Sequence, residues 1–410
     1  MALASALAMS GASALADELC RADAQFIGDY LRRNDAGVAA ELERDGPARL
    51  ALLDKQTLLD AVAAPDLASC ARTLQTHLLQ LRPGNLKLTW NPTFAANLGL
   101  LSGVANPQVP SPAVPIELAR TKSGIQVLRL RSFAPELETT VHAVIARNGP
   151  IWRSQGRLLI DLRGNVGGVD RVWAPLRDWV LAQQAKQYGV RWWATPDNAQ
   201  AVQNFVIETP GLSSEMVQAI QARATSLREA TPSSWVNALE ASQVAALTYT
   251  PPDQGEKAIG QVAILIDGSC AGSCEQLVLD LRQSPNVTIW GEHSQGLLDA
   301  SNLAKVALPS GRSVLHYALS MTQRPPEQWV DRNGIKPQID LSMVPSVQWQ
   351  DRALACDLQL PCVPRGTAKP VTKTGKAGAT KSKVSRKKTK SMSPSKSSSS
   401  AAGTKTKKKR

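Results

Sequence analysis

Arg157-Leu158-Leu159-Ile160-Asp161-Leu162-Arg163-Gly164-Asn165-Val166-Gly167-Gly168 is a short apolar run that breaks into a polar, glycine-rich turn. Such a run reads as a buried strand ending where backbone must come close to something else. Without Cβ atoms, Gly164, Gly167 and Gly168 can take positive φ and offer bare N–H groups, the kind of donor that stabilises an oxyanion. Taken alone, the stretch is equally readable as a strand-to-helix turn that carries no chemistry.

Working outward, strands alternate with helices from about residue 124 to residue 340, which predicts an α/β domain. Upstream stands Gly124-Ile125-Gln126-Val127-Leu128-Arg129-Leu130-Arg131-Ser132-Phe133, a strand running into a Ser-Phe turn. Downstream come Val262-Ala263-Ile264-Leu265-Ile266-Asp267-Gly268-Ser269, then Gly291-Glu292, Leu308-Pro309-Ser310-Gly311-Arg312 and Asn333-Gly334-Ile335-Lys336-Pro337-Gln338-Ile339-Asp340. In this order the segments resemble the tail-specific (C-terminal processing) serine protease family. Each match alone is weak, and their order around the glycine turn is what carries the resemblance. It implies a crotonase/ClpP-like core of mixed sheet and helices, a serine endopeptidase activity on exported proteins, a peptide or protein substrate and no cofactor.

The family places its serine at a strand-to-helix turn, three residues before a glutamate. Here the turn reads Asp267-Gly268-Ser269-Cys270-Ala271-Gly272-Ser273-Cys274-Glu275. Anchoring on Glu275 puts Gly272 at the nucleophile position and Ser273 one residue late, a rotation of about 100° on a helix. Ser273 is the candidate nucleophile and Ser269 the second. For both, the alternative is a hydroxyl that caps the following helix. The lysine-using branch carries its base where this chain has Leu297, and the histidine-using, tricorn-like branch carries its base where this chain has Asn85. Neither side chain can take a proton from serine at neutral pH. His293, four residues before Leu297, is the candidate base, and Gly167 and Gly168 are the candidate oxyanion donors. His77, His142 and His316 read as structural hydrogen-bonding residues, and Glu327 and Asp331 fall where the tricorn-like branch supplies an acidic partner. No Cys/His spacing suggests a metal site.

Residues 1–16 are small and apolar and end Ala14-Leu15-Ala16, resembling a secretory signal, although no Lys or Arg precedes them; an alanine-rich helix is the other reading. Residues 17–90 predict a helical region broken at Pro47 and Pro65, and the proline-rich residues 91–123 a linker too short to hold a PDZ domain. The core spans 124–345 with an insertion at 195–260, where helices are expected over 213–227 and 233–247. Residues 346–365 form an extension bracketed by Cys356 and Cys362. The six cysteines fall into regional pairs, Cys20 with Cys70, Cys270 with Cys274 and Cys356 with Cys362, which is compatible with disulfides and a periplasmic or secreted location; free thiols are the alternative.

The last 45 residues are a separate object. Residues 366–410 hold fifteen Lys plus Arg and no acid, so the net charge of +13 leaves −2 for everything before them. That composition predicts disorder and salt-sensitive, nonspecific binding to a polyanion such as nucleic acid or an anionic envelope polymer. Three functions therefore stand: a serine peptidase, a catalytically inactive peptide-binding relative, and a protein that works through its basic tail.

Overall fold

The predicted strand at Arg157 becomes the middle of a six-stranded sheet, and its alternating residues are buried on both faces. The computed structural model describes residues 2–97, 114–121, 124–209, 212–237, 246–255 and 257–356, with side chains from residue 18 onward except at 95–97, 246, 254–255 and 354–356. In chain order the elements are α1 (Ala2–Asn34), α2 (Ala36–Asp45), α3 (Ala48–Val62), α4 (Leu67–Leu81), β1 (Lys87–Trp90), α5 (Pro92–Asn97), β2 (Ile116–Arg120), β3 (Gln126–Leu130), α6 (Glu138–Gln155) and β4 (Arg157–Asp161). Then follow α7 (Arg177–Val180), β5 (Ala185–Tyr188), β6 (Val190–Ala194), α8 (Pro196–Glu208), α9 (Ser214–Glu229), β7 (Ser234–Asn237), β8 (Ala246–Tyr249) and β9 (Gln261–Ile266). The chain continues through α10 (Ser273–Leu281), β10 (Val287–Gly291), β11 (Ala300–Ala307), β12 (Ser313–Thr322), β13 (Ile339–Asp340) and α11 (Trp349–Cys356).

The central sheet runs β13-β10-β9-β4-β3-β2, parallel throughout except for the antiparallel edge strand β2. Leu158, Ile160 and Leu162 join one apolar core with Leu128, Leu130, Ile264, Ile266 and residues of α6 and α10. Leu159 faces the other way, into a core shared with Val127, Leu265, Trp349 and Ala353. That double burial explains why β4 reads as a continuous apolar run rather than an alternating one. A second sheet, antiparallel, runs β1-β12-β6-β7 with β11 on β12, and it packs against α1, α4, α8 and α9.

The N-terminal helices break at the prolines, as the spacing predicts, and a Cys20–Cys70 disulfide joins α1 to α4. Two segments differ from expectation. Among the described residues of 233–247 there is no helix; β7 occupies 234–237, because Trp235 and Val236 suit a half-buried strand pairing with β6, and β8 begins at 246. Part of the expected linker is instead sheet edge, since Ile116–Arg120 pairs with β3 along its whole length. Within the extension, α11 closes one face of the central sheet through Trp349 and Ala353. Cys362 and the basic tail lie outside the described residues. Among the described residues no helix is long and apolar enough to cross a membrane.

Candidate active site

After β4 the chain must turn at once, and the turn is wired by its own polar side chains. Asp161, fully buried, receives Nε and Nη2 of Arg163 at 2.8 and 2.6 Å. Burial alone would raise its pKa, but the Arg163 hydrogen bonds and charge prevail and hold the carboxyl below its usual value. Asn165 donates to Leu130 O and accepts the Gly167 N–H at 2.8 Å, while Asp267, at the end of β9, accepts the Gly164 N–H. The turn therefore spends the Gly167 amide on itself. The Gly168 N–H makes no hydrogen bond among the described residues, and of the two expected oxyanion donors it is the one left to act.

The opposing wall is the start of α10. A Cβ on Gly167 would stand 2.5 Å from Ala271 O and 3.2 Å from Ser273 N, so the glycine turn and the helix start face each other in contact. Gly272 precedes the helix with φ 55° and ψ −116°, a conformation that L side chains rarely adopt. The Cys270–Cys274 disulfide spans this turn. Glu275, buried one helical turn in, accepts the N–H groups of Gly272, Gly296 and Leu297 at 3.0, 2.7 and 2.8 Å and the Ser294 hydroxyl at 2.5 Å. Its burial raises the pKa, and these four bonds oppose the rise. One carboxylate thus joins the helix start to the loop that carries Leu297.

The three positions where the resemblance expects catalytic groups do converge. Leu297 O lies 3.8 Å from where a Cβ on Gly272 would be, Asn85 Nδ2 donates to Leu297 O at 3.2 Å and to Ala300 O at 2.6 Å, and Leu297 Cδ2 fills the space beside Gly84. None of the three carries a nucleophile or a base. Below them Asp299 and Asp331 cross-brace the loops: Asp331 accepts the N–H groups of Leu298, Asp299 and Ala300, and Asp299 accepts those of Val330 and Asp331 and the Arg324 guanidinium. Burial first, then the neighbouring Asp299 carboxylate, pushes Asp331 up to about 6.

Ser273 is the first residue of α10, and Gly272, not a serine, stands at the cap. Its Oγ donates to Asp170 Oδ1 at 2.6 Å and accepts the Trp173 Nε1–H at 2.9 Å, and the residue is 7% exposed. The hydroxyl does not cap the helix; it turns away into the 170–173 loop. Asp170 stands at the surface as a residue, yet its carboxyl is crowded inward, and burial raises its pKa despite the Ser273 hydrogen bond and the Arg177 charge. Sequence reasoning missed Asp170, whose only signal is its place two residues after Gly168. His293 is exposed, pairs through Nδ1 with Asn333 O at 3.1 Å, and makes no contact with Ser273 among the described residues. Ser269 donates its N–H to Asp267. His77, His142 and His316 hydrogen-bond Thr57, Arg171 O and Thr89, as structural histidines do. Among the described residues no group of His, Cys, Asp or Glu is arranged to hold a metal.

A parallel sheet with a glycine turn set against a strained strand-to-helix elbow is the arrangement this chain shares with a family of peptidases. The chain belongs to Peptidase family S41, whose model matches residues 124–341. Among solved structures it is similar to mature CPAF complexed with lactacystin, with 11% identity over 80% of this chain and 94% of that one and a TM-score of 0.51. A mutant of CPAF gives 10% identity over 83% and 96% and a TM-score of 0.54. At such identities the likeness is one of fold. No curated protein sequence matches the chain.

Proposed function

We propose that this S41 member binds peptide or protein segments at the former catalytic turn without cleaving them. The observation that carries this reading is the meeting of Gly272, Leu297 and Asn85 at one place, with a nucleophile and a base missing together. Attack on a peptide carbonyl needs an activated nucleophile within hydrogen-bond reach of its base. The unengaged Gly168 N–H and the kept elbow still offer main-chain donors to an extended peptide. The two disulfides and the apolar residues 1–16 support work in an oxidising, exported setting, and the fifteen cations of residues 366–410 support a further, nonspecific affinity for polyanions.

A second reading rests on the 2.6 Å bond from Ser273 to Asp170. Here a carboxylate raised in pKa would take the serine proton, with Ser273 as a displaced nucleophile. A serine-directed fluorophosphonate separates the two. The first reading expects no labelling and no cleavage of an unfolded protein such as casein, with peptide binding retained. Labelling that disappears in both Ser273→Ala and Asp170→Asn would replace it with the second.

A further inference from the structure

Beyond the glycine turns, and sharing no residue with them, a cleft of about 560 Å³ opens between β5, α10 and residues 324–336. Its size is that of an ordinary ligand pocket. Lys186, Arg282 and Lys336 stand exposed around it, and none has an ion-pair partner among the described residues. The acids of the wall do not balance them. Asp280 is buried and already held by Arg177 at 3.2 Å, Gln187 at 2.5 Å and Gln276 at 2.6 Å, which leaves Glu327 alone at the rim. Arg324, 5% exposed, lines the same cleft with its charge already met by Asp299 and a hydrogen bond to Gln276. The excess is local, because residues 1–365 together carry −2. A concave surface with one uncompensated sign concentrates the opposite charge in its occupant.

The walls narrow the choice of anion. Tyr188, Leu279, Trp329 and Ile335 line the same cleft as the cations, so an occupant must bring apolar side chains between its carboxylates. A short, open cleft of this size suits a peptide segment better than a nucleic-acid backbone, which is met by long basic stripes. The chain's own residues 366–410 carry only positive charge and would be repelled. We propose that this cleft binds an acidic, partly apolar peptide segment of a partner protein.

The test uses the full chain and a fluorescein-labelled ten-residue peptide of alternating Glu and Leu, with a single-stranded oligonucleotide as the competing class. Substituting Lys186→Gln, Arg282→Gln and Lys336→Gln together should weaken the peptide at least ten-fold and leave thermal unfolding and oligonucleotide binding unchanged. Zero-length carboxylate-to-amine cross-linking of the wild-type complex should fall on Lys186 and Lys336 and vanish from that region in the triple variant. Peptide affinity within two-fold of wild type overturns the proposal, as does an equal loss of oligonucleotide binding. Cross-links confined to residues 366–410 overturn it as well.

Discussion

Gly272 and Gly168 look alike in the sequence and differ sharply in what they would tolerate. A Cβ on Gly272 meets nothing nearer than Leu297 O at 3.8 Å, so Gly272→Ser carries only the strain of its positive φ, about 1–2 kcal/mol. A Cβ on Gly168 would lie 2.0 Å from Phe133 O, so Gly168→Ala forces backbone apart and should cost about 3 kcal/mol or more. Urea unfolding of the two variants gives the comparison, and equal losses would show that the glycine turn is looser than described. The space beside Gly272 therefore admits a Cβ, and the space beside Gly168 does not. That Gly272, Leu297 and Asn85 offer neither nucleophile nor base was legible in the sequence, because Glu275 fixes the register and residue type decides the rest. The Ser273–Asp170 bond was not, since the partners are 103 residues apart and meet only when β4 and β9 pair side by side.

Among the elements, helices with clear punctuation and the apolar central strands were readable, and the short polar strands of the insertion were not. Pro47 and Pro65 mark the breaks among α2, α3 and α4, whereas the polar, mixed stretch around Ser234 becomes a strand only because β6 offers an edge to pair with. Two of the expected cysteine pairs, Cys20–Cys70 and Cys270–Cys274, were readable by region, and their effects should be unequal. Cys20–Cys70 closes a separation of 50 residues and Cys270–Cys274 one of 4. In the chain-entropy model the first contributes about 4 kcal/mol and the second about 2. Paired Cys→Ala variants should thus lower the unfolding midpoint more at Cys20 and Cys70, as calorimetry can measure. A larger loss at Cys270 and Cys274 would mean that the short bridge holds the elbow itself in place.

Taken as a whole, the molecule carries charge in unusual places. Asp280 and Asp331 are both raised to about 6 from an ordinary value of 3.8, chiefly by burial, with Arg177 opposing the rise at Asp280 and Asp299 adding to it at Asp331. Between those pH values the folded state holds protons that the unfolded chain has released, so stability falls as pH climbs through about 4 to 6. Thermal unfolding should come at a higher temperature at pH 5 than at pH 7.5, and Asp331→Asn should flatten the difference; a midpoint rising with pH across that window would contradict the assignment. The burial of these acids was invisible beforehand, since the sequence places Asp331 where an acidic partner is expected but says nothing of what covers it.

The ring closed between Cys270 and Cys274, four positions apart, makes the turn around Gly272 sensitive to its redox surroundings. In thiol-rich surroundings that clasp opens and the backbone around Gly272 gains freedom, while an oxidising envelope keeps it shut. One polypeptide would then present a taut turn at Gly272 where thiols are oxidised and a slack one where they are reduced.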